Sequence, residues 1–152
     1  MVIKRKKVNN FLIYDSECLM CQGFLTFLDK IYNNSKSNIL VTSSPSKILS
    51  LIDNYHHNFI SERILTLEKL SKNTIIYIKG DLIYIEFQAI NNLLKDSSNK
   101  VLAIIAAILE FIIPKYIGNK IYKIIASRRI QLSNLFFKNK CNLFFKNLVI
   151  LD

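Results

Sequence analysis

Apolar residues along the first 95 positions fall into short unbroken runs that alternate with longer periodic stretches. Residues 10–14 and 39–42 are short apolar runs, rich in β-branched and aromatic side chains, which is typical of buried strands. Between them, apolar side chains recur at helical spacing and polar side chains fill the opposite face. Ser44 and Pro45 then suit the N-cap and the first turn of another helix. The pattern therefore predicts a βαβ unit followed by a helix.

A hairpin signal dominates the next part of the chain. Two apolar runs, residues 74–79 and 82–86, flank the turn residues Gly80 and Asp81, which predicts an antiparallel pair of strands. Residues 89–94 continue as a helix. The complete order, β-α-β-α-β-β-α, reproduces the thioredoxin topology, so we expect an α/β, thioredoxin-like sheet with helices on both faces.

The chain beyond the hairpin is strongly apolar but carries charges at intervals. Residues 101–113 form the most hydrophobic stretch, yet Glu110 interrupts it and Pro114 ends it, short of the roughly 20 apolar residues that span a bilayer. We expect a buried helix packed on the sheet, with an interfacial helix aided by nearby lysines as the alternative. Residues 115–131 predict a basic helix. Its inner face is expected to hold Ile117, Ile121, Ile124 and Ile125.

Length and composition are those of one globular domain. The chain has 152 residues, of which 51% are hydrophobic, with 3 Gly and 2 Pro, which excludes disordered, collagen-like and disulfide-knotted classes. We expect a single domain over 1–152, with a core of about 9–95 and a helical C-terminal extension of about 99–152. Within the core, residues 56–72 fit either a helix or an irregular cover.

The net charge of +10 would draw anionic partners or surfaces toward the chain. The lysines are scattered, and no zinc-finger, RNA-binding or helix-turn-helix signature is visible, so we expect a solvated basic surface without specific nucleic-acid binding. The basic N-terminus is followed by an apolar run at residues 11–14 that is too short for a signal peptide. We therefore expect a cytoplasmic protein.

The cysteine pattern points to chemistry. Cys18, Cys21 and Cys141 are an odd number, with two in one CxxC motif, unlike the even and dispersed set of a disulfide-stapled domain. Cys18 opens the first predicted helix, where unpaired N–H groups and the helix dipole stabilise a thiolate, and Cys21 lies one turn further in, where it is shielded. We therefore expect thiol-disulfide exchange with Cys18 as the accessible attacking thiol, Cys21 as the resolving thiol, and no cofactor.

Two other functions fit parts of the sequence. A zinc-binding interaction module would use the CxxC motif but needs two more ligands, which Cys141 and the adjacent His56 and His57 do not offer at a recognisable spacing. It predicts stoichiometric metal. A membrane-associated accessory protein would use residues 101–113 and the basic surface. It predicts activity that does not depend on Cys18.

Asp15 stands three residues before Cys18, at the end of the first predicted strand. A carboxylate at this position would cap the helix or shape the loop. Alternatively it would accept the proton of Cys21 through water during resolution. Because a negative charge beside Cys18 would oppose its ionisation, the two roles have opposite electrostatic consequences.

The chain resembles the DCC family of predicted thiol-disulfide oxidoreductases through the motif Asp15-x-x-Cys18-x-x-Cys21, which an apolar strand ending in Tyr14 precedes. Later landmarks of the family follow in order: Tyr84-Ile85-Glu86 with Ala89, Tyr122-Lys123-Ile124-Ile125-Ala126 leading to Arg129, and Cys141. The resemblance implies a thioredoxin-like fold and a redox role for Cys18 and Cys21, with Asp15 as the third motif residue. The implied partners are a protein or small-molecule disulfide and an electron donor.

The resemblance carries over two further residues as positions only. Arg129 is either an ordinary basic helix residue or a charge placed near the thiolate. Cys141 is more simply a buried small hydrophobe than a third redox centre. Thioredoxins proper have a cis-proline before the strand that begins here at Thr74, and this chain has none, so we expect Asn73 and Thr74 to form that edge of the substrate groove.

Overall fold

The computed structural model describes residues 10–32, 39–49, 60–136 and 148–150 of the chain. The strands are β1 (Asn10–Ile13), β2 (Ile39–Thr42), β3 (Ile76–Lys79), β4 (Leu82–Ile85) and β5 (Val149–Ile150). The helices of the described residues are α1 (Leu19–Ile31), α2 (Ser46–Leu49), α3 (Ile64–Ser71), α4 (Glu86–Lys95), α5 (Lys100–Ile112), α6 (Lys115–Ser127) and α7 (Arg129–Phe136).

The strands form one mixed sheet in the order β4-β3-β1-β2-β5. β1 lies parallel to β2, with Asn10 opposite Ile39, and antiparallel to β3, with Leu12 opposite Tyr77. β3 and β4 form the antiparallel hairpin, in which Gly80 adopts a positive φ of 58° that suits glycine at the turn. The predicted α/β class and thioredoxin-like topology are confirmed.

Side chains alternate between the two faces of the sheet, and each face has its own apolar core. On one face, Leu12 and Tyr77 pack with residues of α1 and α4, including Leu28 and Leu93. On the other face, Phe11, Ile13, Ile76 and Ile78 pack with residues of α2 and α3, namely Ile48 and Leu67. Helices therefore cover both faces of the sheet. The central strands β1, β2 and β3 are mainly apolar in sequence because side chains on both of their faces are buried.

The structure assigns one segment that the sequence left open and changes two predicted elements. Residues 64–71 of the unassigned segment form the helix α3. The second hairpin strand ends at Ile85, because Glu86 adopts a positive φ of 55° and begins α4 while its N–H still bonds to the Ile75 carbonyl. The C-terminal extension, predicted as helical over about 99–152, also contributes the strand β5, which pairs in parallel with β2 at the sheet edge.

The predicted buried helix over residues 101–113 is α5, and its expected packing on the sheet is wrong. α5 packs instead against α4, and Ala106 is its buried residue. Most of its large apolar side chains are exposed: Val101, Ile104, Ile105, Ile108, Phe111 and Ile112. The cause lies in α4, which covers the sheet in this region and leaves α5 a position in the next layer out.

The predicted basic helix over residues 115–131 is divided at Arg128 into α6 and α7, and its expected inner face is also wrong. The isoleucines assigned to that face, Ile117, Ile121, Ile124 and Ile125, are exposed. α6 packs on α4 through Gly118, where a Cβ would lie 2.6 Å from Cγ of Phe87. A small residue is needed at this point because the two helices approach so closely.

Among the described residues, no single helix has the length and apolar character to cross a membrane. α5 and α6 reach the required length and hydropathy only as a pair, and their axes are bent by 113° at the break between them.

Candidate active site

The loop after β1 is shaped by Asp15. Its side-chain Oδ1 accepts the N–H of Glu17 at 3.0 Å, and its backbone carbonyl accepts the N–H of Cys18 at 3.2 Å. These two bonds form a tight turn of the kind that aspartate favours. The turn delivers Cys18 to the start of α1, and the helix N-cap is Cys18 itself, so the carboxylate of Asp15 shapes the loop without capping the helix.

Cys18 caps α1 with its own sulfur. It has extended backbone angles, φ −91° and ψ 107°, and its Sγ accepts the backbone N–H of Cys21 at 3.4 Å. The first turn of α1 carries no acidic side chain. The sulfur therefore faces the positive end of the helix dipole, where a thiolate is stabilised.

The two thiols have opposed acidities. The pKa of Cys18 is lowered to about 6. The hydrogen bond from the Cys21 thiol is the largest cause, the Cys21 backbone N–H and the charge of Arg129 act in the same direction, and burial opposes them. The pKa of Cys21 is raised far above its ordinary range by the hydrogen bond to Cys18, by burial, and by the negative charge of Cys18. Because a thiol with a pKa of about 6 is roughly nine-tenths ionised at pH 7, the reduced pair carries one thiolate, at Cys18.

The accessibility of the pair differs from the expectation. Cys18 is buried, with 8% of its surface exposed to solvent, whereas Cys21 is partly exposed. The expected open Cys18 is therefore wrong as a statement of exposed surface, whereas Cys21 packs against the apolar core, as expected of a shielded thiol. The physical reason is the cap, because accepting the Cys21 N–H turns the Cys18 sulfur back toward the helix. The exposed Leu19 is the apolar surface next to it.

Arg129 contacts the cysteine loop although it lies 114 residues after Asp15 in the sequence. Its Nη1 lies 3.4 Å from Oδ2 of Asp15 and 3.3 Å from the carbonyl oxygen of Lys72, just after α3. Both members of the ion pair are partly buried. The guanidinium thus joins three separate parts of the fold, and its charge also lowers the pKa of Cys18. The guanidinium therefore contacts the cysteine loop through Asp15, and its charge acts on the Cys18 thiol.

Tyr122 on α6 occupies the edge that precedes β3. Its hydroxyl accepts the N–H of Ile75 at 3.0 Å and lies 3.1 Å from Oγ1 of Thr74. Burial raises the pKa of Tyr122, and its electrostatic interaction with the Cys21 side chain acts in the same direction. The described residues contain no cis peptide bond. The edge predicted at Asn73 and Thr74 is therefore completed by a side chain to which the sequence assigned no role.

A groove of about 950 Å³ opens beside the cysteine loop. Its walls come from that loop, from the segment after β2, and from the end of α3. The side chains that matter for charge are Asp15, Glu17, Glu68, Lys69, Lys72 and Arg129. Acidic and basic groups are balanced there, so the groove suits a polar chain better than a single anion.

Other residues singled out in the sequence lie elsewhere. Cys141, His56 and His57 fall outside the described residues. Within the described ranges, no group of three or more His, Cys, Asp or Glu side chains is placed to hold a metal ion.

A model of the DCC1-like thiol-disulfide oxidoreductase family matches residues 12–135, which is more than half of the chain. The match covers the cysteine loop, the hairpin and the helices that carry Tyr122 and Arg129. No curated protein and no solved structure shows significant similarity to the chain.

Proposed function

The chain belongs to the DCC1-like thiol-disulfide oxidoreductase family, and on this premise we propose that it exchanges disulfides through Cys18 as the attacking thiol and Cys21 as the resolving thiol. The observation that carries the assignment of roles is the cap of α1, in which Sγ of Cys18 accepts the N–H of Cys21. A sulfur in that position is the one that a helix N-terminus favours as a thiolate.

In the first step the Cys18 thiolate attacks one sulfur of a substrate disulfide. A bond forms between Cys18 Sγ and that sulfur, the substrate S–S bond breaks, and the departing sulfur leaves as a thiolate that takes a proton from solvent. The low pKa of Cys18 means that no general base is needed to create the nucleophile at neutral pH.

In the second step Cys21 resolves the mixed disulfide. Formation of that disulfide removes the negative charge and the thiolate hydrogen-bond acceptor at Cys18, which are two of the three main causes of the raised pKa of Cys21. Cys21 therefore loses its proton more easily once Cys18 has reacted. Cys21 gives its proton to solvent and its thiolate attacks Cys18 Sγ. The Cys18–Cys21 bond forms as the bond between Cys18 and the substrate sulfur breaks, and the second substrate thiolate leaves and takes a proton from solvent, so that two electrons have passed to the substrate.

Asp15 and Arg129 act as positioning residues in this scheme. Asp15 holds the loop through its bonds to Glu17 and Cys18, and Arg129 neutralises the carboxylate that would otherwise oppose ionisation of Cys18. This arrangement resolves the electrostatic conflict of an aspartate close to a thiolate. It favours loop shaping over proton transfer as the role of Asp15.

The groove beside the loop is the proposed site for the part of the substrate that flanks its disulfide. Its balanced charge suits an extended polar segment of a protein or a small thiol compound. The oxidised pair returns to the dithiol by the same two steps in reverse, with electrons from a thiol donor. No cofactor enters the cycle.

A redox titration of the purified protein in glutathione buffers tests the proposal. Thiol trapping and mass spectrometry measure the Cys18–Cys21 disulfide, and a reversible two-electron transition is the expected result. Absence of this disulfide at every glutathione ratio would refute the proposal.

A matched pair of variants separates the two roles. With a disulfide substrate, Cys21→Ser should accumulate a mixed disulfide on Cys18, because nothing resolves it, whereas Cys18→Ser should accumulate none. Equal trapping by both variants would show that the roles are not divided in this way.

A further inference from the structure

The outer faces of α5 and α6 are apolar and uncovered. On α5 the exposed large side chains recur at the spacing of one helical face: Val101, Ile104, Ile105, Ile108, Phe111 and Ile112. α6 adds Ile117, Ile121, Ile124 and Ile125. The opposite face of each helix packs on α4, so α5 is apolar all round although half of it faces solvent. Such a surface is unusual on a soluble monomer and indicates a binding surface.

The charges around this surface are nearly all positive. Among the exposed residues of α5, α6 and the junction at position 128, five are basic and one is acidic: Lys100, Lys115, Lys120, Lys123 and Arg128 against Glu110. Glu110 is already paired with Lys95, and Lys123 lies 3.6 Å from Glu86. The net charge of the whole chain, +10, has the same sign.

We infer that the outer faces of α5 and α6 bind the surface of an anionic lipid bilayer. A basic rim around an apolar face complements anionic headgroups above acyl chains. A second copy of the chain fits less well, because it would bring two sets of lysines together around a desolvated interface. The occupant is therefore a surface of opposite charge that also accepts isoleucine and phenylalanine.

The geometry favours lying on the bilayer. Each helix has 13 residues, which at about 1.5 Å per residue gives roughly 20 Å, less than the roughly 30 Å of a hydrocarbon core. The axes bend by 113° at the break, where Pro114 and the exposed Lys115 stand. Isoleucines and Phe111 would enter the boundary between headgroups and acyl chains, while the lysines remain among the phosphates.

Vesicle binding by the purified full chain tests this inference. Vesicles of pure phosphatidylcholine are compared with vesicles that contain about one-third phosphatidylglycerol, at about 50 mM and about 500 mM salt. The protein should sediment with the anionic vesicles and not with those of pure phosphatidylcholine. The bound fraction should fall at the higher salt concentration.

Matched variants locate the surface. Phe111, which is 93% exposed, is changed to glutamate, and Leu82, which is 57% exposed on β4, receives the same change as a control. Phe111→Glu should weaken partitioning by about tenfold or more, the equivalent of one lost apolar side chain, whereas Leu82→Glu should change it by about twofold or less. Ile104→Ser provides a second variant that adds no charge and should weaken binding in the same direction.

Three outcomes would overturn the inference. They are no binding to anionic vesicles, equal binding to both kinds of vesicle, and binding that Phe111→Glu and Leu82→Glu reduce equally. If the protein does not bind vesicles, and light scattering shows a dimer that dissociates in the Phe111→Glu variant, the surface would be assigned to a second copy of the chain. The glutathione titration of the cysteines is independent of all these results.

Discussion

Replacing Arg129 with glutamine tests how a residue far from Cys18 in the sequence controls the pKa of Cys18. The guanidinium lowers the pKa of Cys18 by its charge, and it also pairs with Asp15 at 3.4 Å. Arg129→Gln removes the first effect and leaves the carboxylate of Asp15 unneutralised. Both changes disfavour the thiolate, so the pKa of Cys18 should rise.

The expected rise is about one unit, from about 6 to about 7. Opposite charges close to a titrating group typically move its pKa by about 1–3 units, and the hydrogen bond from Cys21, which remains, is a larger cause than Arg129. A thiolate of higher pKa is also a better nucleophile, by about threefold per unit for a Brønsted coefficient of about 0.45. Loss of thiolate and gain of nucleophilicity therefore oppose each other.

The two pH profiles should cross. At about pH 5 the wild type should attack a small disulfide about threefold faster than the variant, because the thiolate fraction dominates. At about pH 8 the Cys18 thiol is ionised in the wild type and in the variant, and the variant should react about 2.5-fold faster. Stopped-flow reaction with oxidised glutathione gives the rates, and ultraviolet thiolate absorbance gives the pKa directly.

Arg128→Gln is the matched control, because it removes the same charge from the neighbouring exposed residue. Its profile should coincide with that of the wild type. A variant Arg129→Gln that is slower at every pH would show that Arg129 supports only the fold. An unchanged pKa would refute the electrostatic argument altogether.

Three further predictions concern the free energy of unfolding. For the reduced protein it should rise by at most about 4 kcal/mol from about pH 6 to about pH 9, where the unfolded Cys18 thiol still holds a proton that the folded one has lost, and Cys18→Ser should abolish this slope. Tyr122→Phe should lower the free energy of unfolding by about 1–3 kcal/mol, because the buried N–H of Ile75, just before β3, loses its acceptor. Gly118→Ala should lower it by about 1–3 kcal/mol through the clash with Phe87. Urea denaturation measures all three.

Each of these predictions has its own control. A pH slope that persists in Cys18→Ser would belong to other groups. Tyr116, which is 76% exposed on the same helix as Tyr122, should tolerate phenylalanine within about 0.5 kcal/mol, and an equal loss at both tyrosines would contradict the hydrogen-bond argument. A more stable Gly118→Ala would mean that helix propensity outweighs the close contact.

The central sheet was predictable because its strands are buried on both faces. That burial requires short unbroken runs of apolar β-branched and aromatic residues, as at residues 76–78, and such runs are visible in a single sequence. The place of Cys18 at the start of α1 followed from the same local logic. Its low exposure did not, because that depends on the direction in which its sulfur turns.

The C-terminal helices were predictable as helices but not in their packing. α5 has apolar side chains on both of its faces, so hydrophobic periodicity alone cannot say which face is covered. On α6 Gly118 is buried and Asn119, Tyr122 and Ala126 are partly buried, and these residues carry a weaker apolar signal than the exposed isoleucines. The ion pair of Arg129 with Asp15 joins positions 114 residues apart, and no local pattern encodes such a contact.

The contacts of Tyr122 and Arg129 bear on how this redox centre could be transplanted or reduced in size. A chain cut after α4 would retain both cysteines and the helix that presents them. It would lose the phenol that completes the edge of β3 and the guanidinium that ties the cysteine loop to the end of α3. A designer who grafts this centre onto another scaffold should therefore carry α6 and the start of α7 with it, since two side chains that hold the surroundings of the cysteines lie beyond the four helices that cover the sheet.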